Sequence, residues 1–150
     1  MRIEEEIKAT GVMELAAKTV INIAYTSRSL EEPFKTFLKE YDLSTQQFNV
    51  LRILRGQRGK PANLSTLQER MIDRNSNTTR LVDKLLKKGW VVRQVCANNR
   101  RKIEIFITED GLQLLKTLDP IVTEKNKRSV SNLTKTELGT LNTLLDKLRS

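Results

Sequence analysis

Histidine is missing from the 150-residue chain altogether, and cysteine occurs once, as Cys96. Without imidazole and with a single thiol, the chain lacks the ligand set of a zinc site. Acid–base chemistry would fall to carboxylates or lysines, and none of these sits in a recognisable pair or beside a glycine-rich phosphate loop. We therefore expect no catalytic residue, no metal and no cofactor. One cysteine also excludes an intrachain disulfide, in keeping with a reducing compartment. No apolar run approaches the ~20 residues needed to cross a bilayer. The N-terminus carries Glu4, Glu5 and Glu6 where a signal peptide needs a basic start and an apolar stretch. The expectation is a cytoplasmic chain with no membrane partner. Aromatic residues are scarce at 5%, whereas 30% of residues are charged and 38% hydrophobic, the balance of a helix-rich domain with a real core. Internal repeats, low-complexity tracts and long linkers are likewise missing.

What is present is positive charge, and it is concentrated. Residues 52–102 hold 14 of the 27 Lys and Arg but only 3 of the 18 acidic residues, Glu69, Asp73 and Asp83. The rest of the chain is slightly acidic. A basic surface attracts polyanions, because each Lys or Arg set on a phosphate releases condensed counterions. By itself, the same charge would also describe a merely well-solvated face.

Hydrophobic periodicity and capping signals place the elements. Ser44 and Gln47 form a capping box, with Leu43 and Phe48 at the staple positions around it, which predicts a helix over 45–56. Thr134 and Glu137, flanked by Leu133 and Leu138, repeat the device and predict a helix over 135–149. Upstream, Val12, Leu15, Ala16, Thr19 and Ile23, then Leu30, Phe34, Phe37, Leu38 and Tyr41, keep helical spacing and suggest one long helix from 12 to 40. Pro33 should kink or split it, since proline lacks the N–H and clashes with the preceding turn. A short helix over 64–71 and a second over 75–88, closed by Gly89, flank a turn near Ile72-Asp73. Trp90–Cys96 and Ile103–Ile107 read as strands joined by the polar turn 97–101, with Trp90 and Phe106 expected in the core. Thr108 is the expected N-cap of a last long helix, which Pro120 should bend.

The order of these elements is helix, short helix, turn, basic helix, hairpin, long helix. A helix-turn-helix followed by a projecting hairpin, or wing, is a DNA-reading arrangement in which the second helix enters the major groove. In the basic helix Thr78, Leu81, Val82, Leu85 and Leu86 form the stripe to be buried, and Asp83 belongs to the opposite face. Asn75, Ser76, Asn77, Thr79, Arg80, Lys84 and Lys87 are the residues expected to meet DNA from this helix. Asn and Arg make bidentate contacts to adenine and guanine edges, while Ser, Thr and Lys reach bases or phosphates. The same side chains would also suit an ordinary solvated face whose Asn and Ser only cap the helix. In the wing, Asn98, Asn99, Arg100, Arg101 and Lys102 gather two amides and three cations, suited to the minor groove or its flanking phosphates. A plain polar hairpin turn would look similar.

The stretches LSTQQFNVLRIL (43–54), NSNTTRLVDKLLKKGWVVR (75–93) and NNRRKIEIFITEDG (98–111) resemble those of MarR-type regulators. In that family an Asp-x-Arg pair precedes a strand and a Leu-Thr-x-x-Gly helix start. Here Asn99 replaces the Asp, Arg101 matches the Arg, and Ile107-Thr108-Glu109-Asp110-Gly111 matches the helix start. The ion pair that would brace the wing is absent, and an Asn99–Arg101 hydrogen bond could substitute. The glycine usual before the recognition helix is also absent, Ile72 and Asp73 standing there. The resemblance implies a mainly α (α+β) fold. Its DNA-binding lobe would cover about 43–108, with the helix-turn-helix over 64–88 and the wing over 90–107. Terminal helices over 1–42 and 109–150 would form a dimerisation region within one 1–150 domain. It further implies a homodimer on a pseudo-palindromic operator in double-stranded DNA, often released by a small-molecule effector.

The last helix supports an interface directly. Leu138, Leu141, Leu145 and Leu148, with Leu133 and Leu144 nearby, give it a leucine face broader than one small lobe could cover. Cys96 reads either as an inert thiol or as a redox sensor beside Arg100 and Arg101, whose charge would favour the thiolate. A second functional class stays open: a winged module whose basic face binds RNA or an acidic protein.

Overall fold

A computed structural model describes residues 1–150 as two compact units, Met1–Thr45 and Gln46–Ser150. The first unit holds α1 (Ile3–Glu6) and α2 (Leu15–Lys39). Glu14 starts α2 by accepting hydrogen bonds from the Ala16 and Ala17 backbone N–H groups, at 3.0 and 2.9 Å. Those bonds hold its carboxyl below the ordinary value of 4.5. Val12 therefore lies outside the helix and is fully exposed. One helix, rather than two, runs through Pro33; that position is solvent-facing, so the missing N–H leaves a carbonyl within reach of water. The short α1 was not expected. It is tied to α2 by a Lys18–Glu4 ion pair and by the Tyr25 hydroxyl, which donates to Glu6. Phe37 and Leu38 are buried near the C-terminal end of α2, with Phe37 edge-on to Tyr41 at 5.4 Å.

The second unit is built from α3 (Thr45–Gly56), α4 (Leu64–Arg70), α5 (Thr78–Lys87), β1 (Val91–Cys96), β2 (Asn99–Ile107), α6 (Glu109–Ser129) and α7 (Lys135–Arg149). Only Thr45 of α3 falls in the first unit. The core of the second unit is mainly aliphatic: Val50, Leu51 and Leu54 from α3 beside the buried Phe48, Leu67 from α4, Val82 and Leu85 from α5, Val91 and Ile105 from the strands, Leu115 and Leu118 from α6. Trp90 and Phe106 are only half-buried, contrary to expectation. Trp90 spends its outer face under the Lys88 ammonium, 5.1 Å from the ring centre.

β1 and β2 form an antiparallel hairpin in the register Val91↔Ile107 to Val95↔Ile103, with an irregularity before Cys96↔Asn99. Ala62 adds a single bridge to Ile105 on the free edge of β2, so the loop before α4 serves as a rudimentary third strand. The strand β2 starts at Asn99, four residues earlier than expected, and the turn shrinks to Ala97-Asn98.

Thr108 joins this hairpin to α6. Its hydroxyl donates to the Gly89 carbonyl at 2.7 Å and accepts from the Gly111 N–H at 3.1 Å, capping the helix as expected. Arg55 holds α3 to α6 through a two-pronged ion pair with Asp119, at 2.8 and 3.0 Å. α6 continues through Pro120 to Ser129. α7 begins with the Thr134–Glu137 capping box and has no buried residue. No helix is long and apolar enough to cross a membrane.

Candidate nucleic-acid interface

The turn between α4 and α5 has to be held without its usual glycine, and side chains do this. The Asn49 Oδ1 on α3 accepts the Ile72 N–H at 2.9 Å. Asp73 Oδ1 accepts the Asn75 N–H at 2.9 Å, an Asx-type turn. Gln68 on α4 works at both ends: its amide donates to the Arg74 carbonyl at 2.8 Å, and its oxygen accepts from the Thr78 hydroxyl at 3.2 Å. The result postpones the helix. Asn75 and Asn77 were expected to begin it, but Asn77 is the N-cap, accepting the Arg80 N–H at 3.1 Å, and α5 starts at Thr78.

The two faces of α5 separate as the stripe predicts. Thr78, Val82 and Leu85 are buried, with Leu81 and Leu86 half-buried. Thr79, Arg80, Asp83, Lys84 and Lys87 are exposed, as are Asn75 and Asn77 ahead of the helix. Ser76 is the exception among the expected contacts. It is half-buried, and its hydroxyl oxygen is enclosed without a hydrogen-bond partner. Arg80, Lys84 and Lys87 make no ion pair. Asp83 does: its Oδ1 accepts from Arg93 Nη1 on β1 at 3.2 Å.

In the wing, Asn98, Asn99, Arg100, Arg101 and Lys102 are all exposed. Asn99 pairs with Cys96 and Ile103 with Val95, so Arg100, Arg101 and Lys102 bulge from β2 with no partner on β1, and all three are exposed. The anticipated Asn99–Arg101 bond is present, but the donor is the Arg101 backbone N–H, 3.0 Å from Asn99 Oδ1. The guanidinium is left uncommitted. Cys96, at the end of β1, is half-buried.

Sequence reasoning missed Asn49, Gln68, Asp73 and Arg93 as parts of this surface. The Asp73-x-Asn75 spacing was a readable signal for the turn. Nothing in the sequence pairs Gln68 with Thr78 or Arg93 with Asp83, since those contacts depend on how α4, α5 and β1 pack.

Known proteins match this arrangement. The model of the MarR family matches residues 43–103, from the start of α3 into β2. An uncharacterised HTH-type transcriptional regulator, YkoM of Bacillus subtilis, is 30% identical over 111 residues, which are 73% of this chain and 70% of that protein. The HTH-type transcriptional regulator SarZ of Staphylococcus haemolyticus is 29% identical over 96 residues. That match spans 64% of each chain, just under two thirds of the relative's length. The crystal structure of a MarR-like transcription regulator from Bacillus cereus superimposes with a TM-score of 0.79 at 27% identity, covering 89% of this chain and 95% of that one.

Proposed function

The chain belongs to the MarR family of winged helix-turn-helix transcription regulators, and on that premise we propose that it binds double-stranded DNA sequence-specifically, as a cytoplasmic homodimer on a pseudo-palindromic operator. α5 enters the major groove and the β1–β2 wing lies along the adjacent minor groove or its phosphates. The observation that carries the reading is a free cationic surface. Arg80, Lys84 and Lys87 on α5, and Arg100, Arg101 and Lys102 on β2, are all exposed, and none of the six is neutralised by a carboxylate. Asn75, Asn77 and Thr79 add hydrogen-bonding groups at the end of α5 that reaches base edges first.

Dimerisation supplies the two-fold symmetry. The exposed leucines of α7, Leu141, Leu144 and Leu148 among them, are the surface we assign to it, with Leu138 and Leu145 half-exposed in the same helix. Two half-sites about one turn of DNA apart, roughly 34 Å, follow from a two-fold dimer. Release by a small ligand is included in the proposal from family membership alone.

A competition gel shift tests the reading, using DNA that flanks the protein's own coding region as probe. The expected result is a complex displaced by unlabelled probe at far lower concentration than by random duplex or RNA. Equal displacement by RNA would instead identify an RNA-binding or general polyanion-binding surface.

A further inference from the structure

Asp83 is an anomaly on the surface just described. It is the only acidic residue of α5, it is exposed, and it sits one helical turn from both Arg80 and Lys87. Carboxylate and cation at such spacing normally find each other along a helix. They do not do so here. The Asp83 carboxylate is instead held by the Arg93 guanidinium, which comes across from β1. Arg93 lies on the same face of β1 as the buried Val91 and opposite Ile105 in the register, so its side chain rises on the side where β1 packs against α5. Both members of the pair are about half-exposed, and an ion pair of that kind adds little to stability. Its consequence lies in what it prevents.

Building on the DNA-binding reading, we propose that Arg93 is a positioning residue: by occupying the Asp83 carboxylate it keeps Arg80 and Lys87 free for DNA. Without Arg93, Asp83 becomes an unpaired anion on the surface that approaches the phosphates. It then has two ways to satisfy itself, both harmful to binding, by drawing in Lys87 four residues on or Arg80 three residues back. Arg93 need not touch DNA for its removal to weaken the complex. Arg93→Lys keeps the charge but not the fork, and a point charge still pairs with one carboxylate oxygen. It should retain most of the function.

A double-mutant cycle on the gene-flanking duplex tests this, with affinity measured by fluorescence anisotropy at several salt concentrations. Arg93→Gln should weaken binding by about ten-fold. Asp83→Asn should bind as tightly as the parent or tighter. The double variant should match Asp83→Asn, with an unchanged salt slope, because there is no longer a carboxylate to restrain. Thermal unfolding of all three should stay at the parent midpoint, which separates the effect from a folding defect. Three results overturn the proposal. If Arg93→Gln costs the same in both backgrounds and lowers the salt slope by about one phosphate per subunit, Arg93 contacts DNA directly. If Asp83→Asn loses as much as Arg93→Gln, the pair only braces the wing. If Arg93→Gln binds normally, Arg93 has no role. A parent protein that binds no duplex sinks the DNA-binding reading itself, and this inference with it.

Discussion

Single residues settle how the wing is seated on the rest of its unit, and Gly111 is the tightest of them. A Cβ built on it would lie 2.5 Å from the Trp90 carbonyl oxygen and 2.7 Å from Ile107 Cγ1. Both contacts are closer than real Cβ atoms approach, and the first is with backbone. Gly111 therefore lets the first turn of α6 rest on the base of the hairpin, while Thr108 ties the same two segments by hydrogen bonds. Gly111→Ala should destabilise the fold by about 1–3 kcal/mol, despite alanine's better helix propensity. Denaturant unfolding checks this; an unchanged or raised midpoint would show that α6 does not depend on that close approach. The Gly in the Ile107–Gly111 stretch was legible as a family feature, but its physical reason becomes visible only with the Trp90 carbonyl above it.

At the scale of elements, capping chemistry was the most readable signal and the wing the least. The Thr134–Glu137 box and the Thr108 cap lie within a few residues of sequence, where local hydrogen bonding decides the outcome, and the buried stripe of α5 shows directly as apolar residues at helical spacing. The polar residues 99–102 read as a loop because no apolar alternation marks them. Asn99 joins the hairpin by pairing with Cys96, and residues 100–102 bulge between that pair and Val95↔Ile103, an irregularity with no sequence pattern to mark it. The sequence left open whether Pro33 kinks or splits the helix, because proline is costly inside one; its position is solvent-facing and α2 passes through it as a single helix. The start of α5 slipped by three residues because Asp73 and Gln68 take up the chain in a turn. On the proposed DNA-binding reading, the helix and the wing have different duties. Arg80, on the helix, should read a base, so Arg80→Ala should cost on the order of 1–3 kcal/mol on the operator and relax selectivity there. Arg101, on the strand, should respond to groove shape or phosphate, so Arg101→Ala should weaken operator and random duplex to similar extents. Affinities of both variants for both duplexes decide the matter, and equal losses throughout would contradict the division.

For the whole molecule, the sequence showed a leucine surplus at its end, and the structure shows α7 with no residue buried. Leu141, Leu144 and Leu148 are 42%, 58% and 63% exposed. Covering what remains exposed of each is worth roughly 1 kcal/mol, about half the value for a fully exposed leucine, a driving force an isolated chain leaves unused. On the dimer reading, Leu141→Glu together with Leu145→Glu should give a folded monomer by light scattering. That monomer should bind a full operator ~10²–10⁴-fold more weakly, because the second half-site contact loses its effective concentration. A folded monomer that binds as tightly as the parent would remove dimerisation from the mechanism.

The central claim is that the uncommitted cations of α5 and β2 form a DNA-reading surface. Its most direct test is the affinity of the parent protein for the gene-flanking duplex, and for random duplex, as a function of salt. With about three to five phosphates neutralised per half-site, the log–log slope should be roughly −5 to −9. At physiological salt the flanking duplex should remain bound by a factor of ~10³ or more over random sequence. A flat salt response, or equal affinity for the two duplexes at every salt concentration, would contradict the account.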